Sequence, residues 1–197
     1  MPELVRRFLR PREGWISFGL VLVMLLVLAF SVQRAEWIGK LDFLVPVAAG
    51  AAVAGAVLGL TRLSVVFVLP ASALLGTGAV LWTVGGEFYP DLDQAGRLFL
   101  LRGDALDWTR IVVDGGFAPQ LSPYAVALGA VMWVTAFIAA YTLYRHHRAL
   151  DTILLIGVAL LANMSATFAD LFIFLVLFSG VALLLWLRVA LVGREES

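Results

Sequence analysis

The chain has 197 residues, of which 62% are hydrophobic and 14% charged, and a mean hydropathy of +0.98. This lies outside the soluble globular range and marks an integral membrane protein. Lys and Arg number 14 and so do Asp and Glu, so no basic excess points to nucleic acid, and the absence of cysteine excludes disulfides, a thiolate nucleophile and Cys-bound metal.

Arg6, Arg7, Arg10 and Arg12 form a basic run ahead of the first apolar segment, 15–33. A signal peptide begins in this way, but the exit Ser31-Val32-Gln33-Arg34-Ala35-Glu36-Trp37 has no small-x-small cleavage site, so the segment reads as a retained helix. About 20 residues rising about 1.5 Å each cover a hydrocarbon core of about 30 Å. Segment two, 43–60, carries Pro46 in its first turn, and Ala51, Gly55 and Gly59 recur every four residues as a smooth stripe. Segment three, 64–84, contains Pro70, which predicts a kink, and Ser72, Gly76 and Gly78 give a second smooth surface. Only Thr61, Arg62 and Leu63 join these two segments, which predicts that they pack as an antiparallel pair.

The interval 87–123 is the one long polar stretch. Leu98, Leu101, Ala105, Trp108 and Val112 fall on one side of a helix, with Arg97, Arg102, Asp104, Asp107, Arg110 and Asp114 largely on the other. That pattern predicts an amphipathic helix in the membrane interface, bent at Gly103, stopped by Gly115 and Gly116 and followed by an extended approach framed by Pro119 and Pro123. The plain reading is a linker helix over the bundle; the functional one is a lid or partner platform. Segment four, 124–144, ends in the basic loop Arg145-His146-His147-Arg148, and segments five and six cover 150–165 and 171–192. The expected fold is therefore an all-α membrane protein, one domain over 1–197, with six transmembrane helices in a 3+3 arrangement and an extracytoplasmic interfacial amphipathic helix between the third and fourth.

Orientation follows from the basic residues at segment ends. Arg6, Arg7, Arg10, Arg12, Arg62, Arg145, Arg148, Arg188 and Arg194 lie on the N-terminal side, against Arg34, Lys40, Arg97, Arg102 and Arg110 opposite. This excess predicts a multi-pass plasma-membrane protein with both termini cytoplasmic.

No nucleophile with a base in reach is visible, nor a set of metal ligands. His146 and His147 are adjacent and diverge on a helix, and no phosphate-binding glycine motif occurs in suitable context. No catalytic, cofactor-binding or metal residue is assigned and no cofactor is expected. Segments two, three and four and most of segment six are free of charge, which argues against ion-coupled transport. Gln33, Asn163 and Ser165 sit near the outer ends and read as turn residues, and Asn163-Met164-Ser165 is a weak glycosylation signal this close to a bilayer.

Glu13-Gly14-Trp15 opening the first span and Ser31 to Trp37 closing it resemble the N-terminal membrane domain of bacterial transglutaminase-like membrane proteins. The likeness continues through Leu44 and Pro46, Gly59 to Leu63, Gly115-Gly116, Arg145 to Arg148, and Asn163 with Ser165. The resemblance implies a domain followed, in typical members, by one more span and an extracytoplasmic transglutaminase or protease-like domain using Cys, His and Asp. With no Cys here, no catalytic residue carries over. The chain is then a piece of a longer polypeptide or a stand-alone relative. Its expected role is non-catalytic: it anchors or positions a transglutaminase-like domain in cis or as a separate subunit, with the lipid bilayer as its other partner. Two alternatives are a small-solute subunit of an importer, with the polar interval as lid and Trp133 and Gly129 inside segment four, and a scaffold oligomerising through Gly55 and Gly59.

Overall fold

The computed structural model describes residues 14–61 and 63–195, with side chains to residue 191. Arg6, Arg7, Arg10, Arg12 and Arg62, which enter the charge argument, lie outside the described residues, as do the side chains from 192 onward. Among the described residues the ordered elements are all helical: α1 (Gly14–Arg34), α2 (Leu44–Leu60), α3 (Val65–Phe88), α4 (Gln94–Val113), α5 (Ser122–His146), α6 (Ala149–Ser165) and α7 (Phe172–Glu195). Helices α1, α3, α5 and α7 are long and apolar enough to cross a membrane, while α2 and α6 are apolar but have 17 residues each. At about 1.5 Å per residue the short helices reach about 25 Å, less than a hydrocarbon core of about 30 Å.

Local chemistry accounts for the helix ends. Ser64 Oγ accepts the Val66 N–H at the start of α3, and the Asp93 carboxylate accepts the Gly96 N–H at the start of α4. At the far end of α4, the Gly116 N–H reaches Ile111 O at 2.8 Å and the Gly115 N–H reaches Val112 O. This paired closure requires a left-handed residue, which Gly115 supplies at φ +77°. Pro123 lies in the first turn of α5, where its missing N–H costs nothing.

The core is organised around α5. Gly55 of α2 lies so near it that a Cβ there would stand 2.4 Å from Phe137 O, and a Cβ at Gly59 would meet Tyr144 Cβ at 3.0 Å. The opposite wall of α5 engages α3: Trp133 fills the groove left by Gly76, and its Nε1 donates to Ser72 Oγ at 3.3 Å. Gly129, a turn earlier, is covered by Val80 and Phe43. Segments two and three do touch as the neighbouring helices α2 and α3, but the closest packing of each is with α5. Gly55 and Gly59 of one smooth face, and Ser72 and Gly76 of the other, turn to α5, whereas Gly78 is exposed, because lipid gives no hydrophobic drive between helices and the closest backbone fit decides the partner.

Hydrogen bonds gather the helix ends into two groups. At one end Tyr144 Oη donates to Gly14 O, Arg145 Nη1 to Thr61 O at 2.7 Å, and Arg188 Nε to Ser17 Oγ. At the other, α1 meets α6 and α3 meets α4. Between the ends, Thr152 Oγ1 donates to Ala139 O, satisfying a buried hydroxyl across α5 and α6. Helices α3, α6 and α7 turn Phe67, Leu74, Leu154, Val158, Phe172 and Leu184 outward. Apolar faces of that extent belong to a bilayer rather than to water.

Boundaries differ modestly from expectation. Helix α3 continues to Phe88 instead of 84, α5 begins at Ser122 rather than 124, and α7 runs to Glu195. Helix α4 passes unbroken through Gly103, and α3 through Pro70.

Candidate functional site

The polar side chains at the α4 end of the bundle form two clusters, one on each side of α5. The first joins α1, the loop after it, and α6. Trp37 Nε1 donates to Asn163 Oδ1 at 2.9 Å, Asn163 Nδ2 donates to Ser31 Oγ at 3.2 Å, and Ser31 Oγ donates to Leu28 O. Gln33 Nε2 ties the same loop to Leu41 O. Asn163 is buried with both halves of its amide engaged, so it is a structural joint rather than a glycan acceptor. Beside it lies a cavity of about 280 Å³ walled by Leu28, Val32, Leu44, Val131, Met132 and the Trp37 ring. Its lining is almost wholly apolar, and the Asn163 amide is already committed.

This joint can be measured. Asn163→Leu leaves the Trp37 N–H and the Ser31 hydroxyl short of a partner. Intramembrane hydrogen bonds contribute modestly and Trp37 is half exposed, so the expected loss is about 1–2 kcal/mol. Ser165→Ala, at an exposed hydroxyl bonded only to Ala162 O within its own helix, should change stability by less than about 0.5 kcal/mol. Thermal unfolding in detergent reads both, and equal Tm values for the two variants would refute the joint.

The second cluster joins α3, α4 and α5. The hydroxyls of Tyr89 and Ser122 both donate to Asp104 Oδ2. Arg97 donates from Nε to Tyr89 O at 3.1 Å and from Nη2 to Pro90 O at 2.9 Å, and Lys40 Nζ reaches Glu87 O. The turn between α3 and α4 is therefore held from both sides. Two residues assigned to the outward side of the amphipathic helix, Arg97 and Asp104, instead face the bundle. Of the apolar side, Leu101 is buried and Trp108 sits edge-on to Tyr124 with ring centroids 5.8 Å apart, while Leu98 and Val112 are exposed. The sequence contained a signal for Asp104. It stands three residues after Leu101 and four before Trp108, hence on their face.

Burial, and then the hydrogen bond and negative charge of Asp104, push the Tyr89 phenol above its ordinary value of 10.0; the Ser122 hydroxyl opposes this. A raised phenol pKa means that the folded state holds the proton more tightly. The associated stability is complete below the unfolded value and is lost as pH rises through the folded one. Asp104→Asn removes the negative charge that helps to raise it and leaves a weaker acceptor, so the Tyr89 transition should move to lower pH. Tyrosinate absorbance, taken as the difference from a Tyr89→Phe variant, measures it, and an upward or absent shift would contradict the assignment.

Between α4 and the walls of α3 and α5 opens a cavity of about 460 Å³, bordered by Leu81, Leu101, Arg102, Trp108, Ser122 and Ala130. The other residues considered from sequence do not converge on a site. His146 lies edge-on to Tyr141 at 6.0 Å, and His147 takes a left-handed conformation at the end of α5. Trp133 and Gly129 are packing residues of the core. Among the described residues no three His, Asp or Glu side chains come together as a metal centre would need. Comparison with protein families, with curated proteins and with solved structures yields no match.

Proposed function

We propose that the chain is a non-catalytic membrane domain that anchors and positions an extracytoplasmic transglutaminase-like domain. The observation that carries this reading is the Ser31, Trp37 and Asn163 network. These residues, 132 positions apart at the extremes, belong to the pattern by which the sequence resembles that family, and they meet in one hydrogen-bonded joint. A joint of this kind fixes the loop after α1 against α6 and gives a rigid outer face on which a following domain can be seated.

The reading includes six spans in a 3+3 order, α4 at the outer interface, and both termini in the cytoplasm of a bacterial cell. Supporting it are the excess of basic residues on the Gly14 side, the apolar character of α2 and α6, and the polar clusters where α1 exits and α4 lies. The natural absence of cysteine makes topology directly testable. Asp91→Cys is expected to react with a membrane-impermeant maleimide in intact cells, and Arg148→Cys only after permeabilisation. The reverse pattern, or equal labelling, overturns the orientation.

Anchoring has its own test, the sequence of the transcript beyond Ser197. One further span and a domain with Cys, His and Asp would support it. A stop codon with no neighbouring transglutaminase gene would overturn it. Of the alternatives, the solute-binding reading retains the cavity beneath α4 but loses Trp133 and Gly129 to the core. The scaffold reading loses its stripe, since Gly55 and Gly59 are covered by α5 of the same chain.

A further inference from the structure

The cavity beneath α4 has a polarity gradient. Its polar lining is Arg102 and Thr109 of α4 and the Ser122 hydroxyl at the start of α5; Leu81 of α3 and Val126, Ala127 and Ala130, successively further along α5, make the apolar wall. Ala130 lies eight residues into α5 from Ser122, so the trough descends about 12 Å along the helix. Ala127 and Ala130 are small and exposed, which leaves the trough open along its length.

The cations nearby differ in their commitments. Arg97 is engaged by the Tyr89 and Pro90 carbonyls, and Arg110 pairs with Asp107 at 3.7 Å. Arg102 is exposed at the cavity rim and makes no ion pair among the described residues; Asp104 is instead engaged by Tyr89 and Ser122. Trp108, also in the wall, has its Nε1–H buried without an acceptor among the described residues. A soluble anion would leave the apolar trough unused. A neutral apolar molecule would leave Arg102 unused.

We propose that this cavity holds one anionic phospholipid, its phosphate on Arg102 and one acyl chain in the trough between Leu81 and Ala130. The inference rests on the interfacial placement of α4. A tryptophan at headgroup depth and a cation at the membrane surface are the ordinary means of engaging such a molecule.

Native mass spectrometry of the purified full chain, with added phosphatidylglycerol or phosphatidylcholine, tests the proposal. One phosphatidylglycerol per chain should be retained, bound about fivefold more tightly than phosphatidylcholine, which is what one surface cation provides. Arg102→Gln should abolish that preference. Ala130→Phe, which fills the trough from an exposed position, should weaken both lipids, with Ala127→Phe as a second filling variant and Tm as the check on folding. Arg110→Gln should bind as the parent does. Equal retention of the two lipids by the parent, phosphatidylglycerol binding untouched by Arg102→Gln and both filling variants, or its displacement by equimolar glycerol 3-phosphate would overturn the proposal. The last result would mean a simple anion site. Labelling of Asp91→Cys reports separately on whether α4 lies outside, so failure of the topology and failure of the lipid site are distinguishable.

Discussion

Gly55→Val is expected to abolish most recovery of folded protein, whereas Gly78→Val should leave it nearly unchanged. A Cβ at Gly55 would lie 2.4 Å from the Phe137 carbonyl oxygen and 3.1 Å from Tyr141 N, both backbone atoms that cannot swing aside, while one at Gly78 meets nothing within 4 Å. Relief requires α2 and α5 to separate, and with them the helix contact at the centre of the bundle. The cost should be at least about 3 kcal/mol, or roughly 6–12 °C in Tm for a domain of this size. At Gly78 the change of helix propensity alone is expected, within about 0.5 kcal/mol. Fluorescence-detected size exclusion after a heat step measures both variants, and similar profiles would mean that α2 and α5 are not in backbone contact.

The second large effect is expected at Trp133. Its ring is buried against Gly76, with Gly50 of α2 also in reach, and its N–H is satisfied by Ser72. Trp133→Ala should cost about 3–5 kcal/mol through the cavity it leaves. Gly76→Leu should be damaging for the opposite reason, because a Cβ at that position already falls 2.5 Å from Trp133 Nε1. The two defects are complementary in shape, so the double variant should recover at least about 1 kcal/mol relative to the sum of the singles. Strict additivity in a thermal-unfolding cycle would mean that the ring does not occupy the Gly76 groove. The same cycle bears on function, since a solute site built around Trp133 would tolerate removal of the ring far better than a core does.

The small residues show how far a one-dimensional pattern reaches. Ala51, Gly55 and Gly59 announced a close helix contact through their spacing, and Ser72 with Gly76 announced another. Neither pattern names its partner. The short connection favoured α2 with α3, and these do touch, yet Gly55, Gly59, Ser72 and Gly76 are met by α5, more than 50 residues further along the chain, and Gly78 faces outward. The outer clusters show the same limit. Gln33, Asn163 and Ser165 were legible as polar residues at helix ends, but not that Asn163 bridges Trp37 and Ser31. For α4, the apolar period placed Leu101 correctly. Counting Asp104 and Arg97 with the outward charges failed, because a carboxylate with two hydroxyls to accept, or a guanidinium with two carbonyls to reach, is stable facing inward.

From the sequence alone came the membrane class, the number and approximate limits of the apolar helices, the polar interval, and the lack of chemistry that cysteine would supply. These follow from composition and from local runs, which fix whether a segment belongs in hydrocarbon. Only the tertiary structure decided that α5 is the central helix, that Trp37 and Asn163 close the loop after α1, and that Arg102 stands over an apolar trough with Asp104 turned away to two hydroxyls. Those outcomes depend on which surfaces meet at backbone distance and which donors find acceptors across the bundle, and neither is a property of any single segment.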